Sequence, residues 1–188
     1  MKQKLIEEYE VNPYTMFLLP YTYGSKVYSR IFELEDEFLS PFKPLDIIKK
    51  SCEYFSSSYE GRKAGTKQLL GMTHKLPIVI DPTNSIYFFP TTSPSRSECI
   101  WVSHGNIENY HRVAPKKTEV LFRNNQTFVF PISDSSFKNQ LYRTDRLKWK
   151  LTQRISQTGR KSFYLVNKPK FLKTSESPDE YGKDCTFE

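Results

Sequence analysis

The sequence predicts an α+β fold: a largely antiparallel β-sheet, a short helix near residues 44–55 and a long basic amphipathic helix near residues 133–156. Short apolar and aromatic runs recur between turn residues from Glu8 to Leu39 and again from Thr66 to Phe130, which is how strands read. Two segments switch from that pattern to helical spacing. The 14 Phe, 12 Tyr and 2 Trp, set against only 7 Gly, supply enough bulk to fill a core. At 188 residues the chain suits one domain, residues 1–160, followed by a flexible tail, residues 161–188.

The elements follow in order. Tyr9 to Val11, Thr15 to Leu19 and Lys26 to Leu34 read as strands broken by Asn12, Pro13, Pro20 and Gly24. Pro44 then opens a helix at a position where its missing N–H is harmless. Leu45, Ile48, Cys52 and Phe55 recur along one face of it, and Ser56 to Ser58 end it. Strands resume at Ile78 to Ile80, Ile86 to Phe89, Ile100 to Ser103, Ile107 to Val113, Glu119 to Arg123 and Thr127 to Phe130. Asn124 and Asn125 between the last two suggest a tight type I′ hairpin, since Asn tolerates positive φ. From Ser133 to Ile155 there is neither Gly nor Pro, so one helix is expected with Ser133 or Asp134 as its cap. Beyond Gly159 the composition turns to Lys, Ser, Thr, Glu and Pro, and residues 167–188 read as a loose tail.

Charge is unevenly placed. Residues 1–60 carry 7 basic and 10 acidic groups, residues 61–165 carry 17 and 6, and residues 166–188 carry 4 and 5. A positive field concentrated on one stretch attracts a polyanion, nucleic acid being the commonest. On the long helix, Phe137, Leu141, Thr144, Leu151 and Ile155 fall on one side, expected to lie on the sheet. Arg143, Arg146, Lys150 and Arg154 fall on the other, with Tyr142 and Trp149 beside them. Carboxylates at i±4, which would mark an ordinary mixed solvent face, are missing from that stripe. An external anion would satisfy it.

The segment from Ser57 to Thr66 sets Arg62 and Lys63 between Gly61 and Gly65, with Lys67 just beyond. Glycines let a backbone approach a ligand, and Arg can fork onto phosphate. The spacing is not that of a phosphate-binding GxxxxGK[ST] loop, and a plain turn is the competing reading. The loop Pro90 to Arg96 is hydroxyl-rich and ends on a cation, Arg96, as a phosphate-contacting loop could.

Other chemistry finds little support. Cys99 and His104 lack a second ligand pair, and His74 and His111 stand at unrelated spacings, so neither a metal nor any other cofactor is expected. Carboxylates in the basic region, Asp81, Glu98, Glu108, Glu119, Asp134 and Asp145, form no two-metal nuclease motif. GxSxG and HExxH motifs are absent, which argues against an enzyme. The apolar runs are too short to span a bilayer, and Met1 to Glu10 lacks a secretory signal, so a cytosolic protein without a membrane partner is expected. The three cysteines make no even disulfide set. Cys52 reads as core and Cys185 as a tail thiol.

Lys43-Pro44-Leu45, Ser51-Cys52, Phe55, Ser57-Ser58-Tyr59 and Gly61-Arg62-Lys63-Ala64-Gly65-Thr66 occur in order. They are followed by His74-Lys75, Pro77-Ile78, Asp81-Pro82, Phe89-Pro90-Thr91, Trp101, Ser103-His104 and Thr118-Glu119-Val120. Pro131-Ile132-Ser133, Ser136-Phe137, Asn139-Gln140 and Tyr142-Arg143-Thr144 complete the set. Over roughly residues 43–147 this ordered set resembles the ComK competence transcription factor family of bacilli.

The resemblance implies a transcription activator that binds paired A/T-rich boxes in double-stranded DNA through the minor groove, assembles as two dimers and bends the DNA. It further implies a nucleoid-associated protein that acts with RNA polymerase and switches on DNA-uptake genes. Phe163-Tyr164-Leu165 partly matches the segment by which the family is handed to an adaptor protein and a Clp protease. Two alternatives stand beside it: a single-stranded DNA or RNA-binding module that stacks bases on sheet aromatics, and a divergent copy with weak or no activator function.

Overall fold

The computed structural model describes residues 4–166, apart from the side chains at 163–165. Compactness divides the chain into Met1–Gln153 and Arg154–Glu188.

In the first unit, strands β1 (Lys4–Leu5), β2 (Thr15–Tyr23), β3 (Lys26–Glu33), β4 (Glu37–Ser40), β5 (Ile78–Asp81), β6 (Ile86–Pro90) and β7 (Trp101–Ser103) form one seven-stranded sheet. Its order is β1-β4-β3-β2-β7-β6-β5, and all pairs are antiparallel except β1 with β4. Strands β8 (Ile107–Ala114), β9 (Lys117–Phe122) and β10 (Thr127–Phe130) make a second, three-stranded sheet in the order β10-β9-β8. The antiparallel α+β architecture read from the sequence is the one observed.

Alternation along the strands builds two large cores, beside a smaller third cluster of Leu70, Val79, Tyr87 and Leu147. Leu18, Ile31, Ile78, Ile80, Ile86, Phe88 and Trp101 turn to one face of the large sheet, where they meet Ile47, Ile48, Cys52 and Tyr59. Those four come from helices α1 (Pro44–Tyr54) and α2 (Tyr59–Leu70). The alternate positions Phe17, Phe32, Phe89, Ile100 and Val102 face the other way, onto Val120, Phe122 and Phe130 of the small sheet and Phe137. Phe137 belongs to helix α3 (Asp134–Val166). A period of two on strands buried on both faces gives this layering of helices, sheet, then sheet with helix.

Turns account for register. Gly24 (φ 59°) stands first in the two-residue loop between β2 and β3, the position a type II′ hairpin reserves for glycine. The β9–β10 connection departs from the expected type I′ turn. Among its residues Asn125 takes positive φ (62°), the Asn125 N–H donates to the Phe122 carbonyl, and the Phe122 N–H donates to the Gln126 carbonyl. That is a type I turn closed by a left-handed residue, a three-residue loop. The Asn124 side chain is used elsewhere, accepting from the Gln126 N–H and donating to the Leu34 carbonyl.

Helix α2 was not anticipated: the glycine-bearing segment read as a loop is helical. Ser58 caps it by accepting from the Gly61 N–H at 3.0 Å, and a Cβ at Gly61 would lie 2.9 Å from that same hydroxyl. Gly61 therefore makes room for the cap rather than for a ligand. Gly71 (φ 68°) closes the far end, its N–H donating to the Lys67 carbonyl. Gly65 has open space where a Cβ would stand and no positive φ. Gly65→Ala is expected to raise stability by about 0.5–1 kcal/mol, read as a higher urea midpoint.

Smaller differences follow from tertiary context. Tyr9 to Val11 is irregular, but Tyr9 and Val11 are buried. There the Tyr9 hydroxyl bonds to Thr15 and Glu33, and the Val11 N–H donates to Ser51 Oγ. The α3 cap is Ser133, whose hydroxyl accepts from the Ser136 N–H. The buried stripe of α3 is Phe137, Gln140, Thr144 and Leu147, and Ile155 is exposed.

In the second unit the backbone stays helical through Gly159 to Val166, ten residues past the expected end at 156. Glycine's lower helix propensity costs about 1 kcal/mol, which a continuing helix can absorb. The backbone of Phe163, Tyr164 and Leu165 is in its last turn. Their side chains, and the tail at 167–188 with Cys185, lie outside the described residues.

Candidate nucleic-acid interface

The basic residues singled out in the sequence divide by what holds them. Arg62 is engaged inside the fold: its Nε donates to Ser57 Oγ at 2.8 Å and its Nη2 to the Ile80 carbonyl at 3.3 Å. It ties α2 back to its own leader and to β5. Lys63 pairs with Glu60 at 3.4 Å and stands over the Tyr59 ring. Arg96 pairs with Glu98 at 3.3 Å in an exposed turn. The glycine-loop argument that set Arg62 and Lys63 against a ligand loses its premise, because the loop is a helix.

Helix α3 is fixed by its cations as well as its apolar stripe. Lys150 Nζ donates to the Leu69 carbonyl at 2.7 Å, satisfying one of the orphan acceptors in the last turn of α2. Arg143 Nη1 donates to the His74 carbonyl at 3.3 Å, and Gln140 Nε2 donates to the carbonyls of Lys75 and Pro90. These bonds stitch α3 along residues 69–75, so Arg143 and Lys150 are not free cations on an outer face.

A hollow of about 230 Å³ opens there, lined by His74, Lys75, Ser136, Asn139, Gln140 and Arg143 among others. Gln140 Oε1 and Arg143 Nε have no partner in the fold, one an acceptor and one a donor. Two such atoms beside one hollow suit a small group that both donates and accepts hydrogen bonds.

Outward, Tyr142, Arg146 and Trp149 lie within about 60° of one another at 100° per residue; the two aromatics are well exposed. Lys67 on α2 is also exposed. The side chains of Lys67 and Arg146 have no hydrogen bond or ion pair among the described residues. In the second unit Arg154 is exposed, its carbonyl accepting from the Thr158 hydroxyl.

Reasoning from sequence missed a further basic element. The β8–β9 hairpin carries Arg112, Lys116 and Lys117 around its turn, all exposed. None has an ion-pair partner among the described residues. The nearby Glu119 is held by His111 at 3.4 Å. The signal was present in Pro115-Lys116-Lys117, a turn residue followed by two cations, but it lay outside any helical face.

The other tempting chemistry is committed to the fold. Burial pushes the Cys52 and Cys99 thiols up to about 11, so both are protonated at neutral pH and poor nucleophiles or ligands. His104 Nε2 meets Asp145 Oδ1 at 2.9 Å. Burial lowers the His104 pKa below its ordinary 6.5 and outweighs the opposing pull of Asp145, with Lys148 lowering it further. The unfolded chain therefore takes up this proton first as pH falls. Stability from His104 is complete above about 6.5 and is lost on acidification toward the folded pKa. Between pH 7.5 and 5.5 the wild type is expected to lose more of its urea midpoint than His104→Gln does; equal losses would contradict this.

In the large sheet Phe17, Phe88, Phe89 and Trp101 are buried between the layers and cannot stack on a base, while Tyr21 and Tyr23 of β2 are exposed. The family model described as ComK protein matches residues 6–156. The chain belongs to the ComK family. It is 42% identical over 165 residues to the competence transcription factor of Bacillus subtilis (strain 168), covering 87% of this chain and 86% of that protein. No solved structure matches. The family match takes in α1, α2, strands β2 to β10 and α3 as far as 156, so the hollow and both basic surfaces of the first unit lie within it. No helix among the described residues is long and apolar enough to cross a membrane.

Proposed function

We propose that this ComK-family chain is a DNA-binding transcription activator of competence genes. The observation that carries the reading is its 42% identity, over most of both chains, to a competence transcription factor. The physical support is a set of cations, Lys67, Arg112, Lys116, Lys117 and Arg146, whose side chains have no partner among the described residues, whereas Arg62 is hydrogen-bonded to Ser57 and the Ile80 carbonyl and Lys63 and Arg96 are paired with surface carboxylates. In this reading the ligand is double-stranded DNA with paired A/T-rich boxes, approached through the minor groove, where narrow A-tracts concentrate negative potential. Two dimers occupy the boxes, bend the DNA and recruit RNA polymerase in the cytoplasm, and turnover runs through an adaptor and a Clp protease acting near Phe163, Tyr164 and Leu165.

Footprinting on a promoter with two A/T boxes tests this. Duplex A/T-rich DNA is expected to outcompete single strands of equal length. Replacing A·T by I·C pairs, which keeps the minor-groove pattern and alters the major-groove edge, is expected to leave protection intact. Preference for single strands would favour the alternative module, and loss of protection with I·C would remove the minor-groove assignment.

A further inference from the structure

We infer that the tip of the β8–β9 hairpin, Arg112 to Lys117, is the element that enters the DNA groove, with Val113 and Pro115 as an apolar wedge and Arg112, Lys116 and Lys117 gripping the flanking phosphates. The inference rests on the duplex-DNA reading above and adds to it the part of the molecule that bends the DNA.

The tip stands clear of its sheet. Strand β10 pairs with β9 only from Thr118 to Leu121, so beyond Thr118 the hairpin continues as two strands with no third strand paired to them among the described residues. Two or three residues per strand reach about 7–10 Å, comparable to the ~7.5 Å depth of a minor groove.

The base of this lever is firm. Thr118, Val120 and Phe122 are fully buried, and the Thr118 hydroxyl donates to the Ile132 carbonyl at 2.8 Å. Tyr110 packs on Phe137, their ring centroids 5.2 Å apart. A rigid root lets a short tip transmit force to a partner instead of folding back.

The apex is built stiff and apolar. Ala114 pairs with Lys117, leaving Pro115 and Lys116 as the two turn residues, and neither has positive φ. Proline at the first of these sets φ for a type I turn in advance. Such a turn does not match the twist of a hairpin, and the mismatch is taken up where two steps on β8, Arg112 to Ala114, face one step on β9, Thr118 to Lys117. The extra residue in that bulge is Val113, 46% exposed and among the large apolar side chains the fold leaves in solvent. An exposed valine and proline at a projecting apex, ringed by three unpaired cations, contribute nothing to the core. Proteins that bend DNA from the minor groove use this combination: cations on the backbone and an apolar residue pushed between base steps. Because a two-stranded tip is wider than an undistorted minor groove of ~6 Å, its insertion requires the groove to open, which kinks the duplex away from the protein.

The test uses the full chain and a duplex carrying two A/T boxes, with end labels for energy transfer and 2-aminopurine at a step inside one box. Wild type is expected to shorten the end-to-end distance and raise 2-aminopurine fluorescence as the step unstacks. Val113→Ser with Pro115→Ala is expected to abolish both signals while affinity falls less than tenfold. Arg112→Ala with Lys116→Ala and Lys117→Ala is expected to weaken binding by more than tenfold and to lower the salt slope by about 2–3, at ~0.9 per phosphate contact. Both variants alter exposed side chains, and their melting is expected to match wild type. A wedge variant that melts normally and still bends and unstacks the duplex overturns the inference while leaving the DNA-binding reading in place. Failure of the wild type itself to bind duplex overturns both.

Discussion

Replacing Phe17 with alanine is expected to destabilise the fold by about 3–5 kcal/mol, the range for deleting a fully buried phenyl ring. Phe17 is 1% exposed. Its ring stacks on Phe32 at 4.4 Å and meets Phe128 at 4.7 Å, Phe130 at 5.0 Å and Phe122 at 5.4 Å. It is thus the residue through which β2 of the large sheet grips both β9 and β10 of the small one. Two sheets held by one aromatic cluster cannot close around the void without shifting against each other, which places the effect at the high end. Against a whole-domain stability of about 5–15 kcal/mol, the variant keeps a small margin at 37 °C. Chemical denaturation of Phe17→Ala beside Tyr14→Ala, whose ring is 63% exposed, makes the comparison. The exposed change is expected to stay within about 0.5 kcal/mol, and a loss below about 1.5 kcal/mol at Phe17 would mean that the sheets do not depend on this contact.

Phe17 also shows why the strands were legible in the sequence. Alternation of Phe17 with Leu18, or of Ile78 and Ile80 with Val79, reports which face each residue takes, because a strand's side chains alternate by geometry alone. Helix α1 was legible for a similar reason, with proline at its start and apolar residues on one side. Helix α2 was not, since Gly61 and Gly65 lower its propensity and its buried residues, Tyr59, Thr66 and Leu70, make a thin apolar stripe. Its caps were readable: Ser58 before it, Glu60 in its first turn, Lys67 in its last and Gly71 just after. Glycine was given the meaning it has beside a ligand when here it served a helix cap. The cations of α3 were found by their spacing, but spacing does not say where a long side chain ends. Lys150 and Arg143 reach carbonyls at Leu69 and His74 that are far away in sequence, a tertiary fact no local pattern encodes. The β8–β9 tip was passed over because a cationic turn has no period to detect.

The steepest functional response expected is to salt. Each phosphate neutralised by Lys or Arg releases counterions and contributes ~0.9 to the slope of log affinity against log salt, so about six contacts imply a loss near 10³-fold between ~50 and ~200 mM. The free cations Lys67 and Arg146 are expected to supply part of that slope. Lys67→Ala and Arg146→Ala should each lower it by about 1 and weaken boxed and scrambled duplexes alike, the signature of a backbone contact. Arg62→Ala is expected to behave differently. Its guanidinium donates to Ser57 and to the Ile80 carbonyl, so its removal leaves a buried acceptor short of a donor and loosens α2 at a cost of about 1–3 kcal/mol. Its effect should therefore appear in the melting temperature, with an unchanged salt slope once the protein is folded. Titrating each variant against boxed and scrambled duplexes at three salt concentrations, with melting curves alongside, separates the two behaviours. An Arg62→Ala protein that melts like wild type yet loses its preference for A/T boxes would return the glycine-bearing helix to the groove, and would make the hydrogen bonds that now hold Arg62 a resting state left on binding.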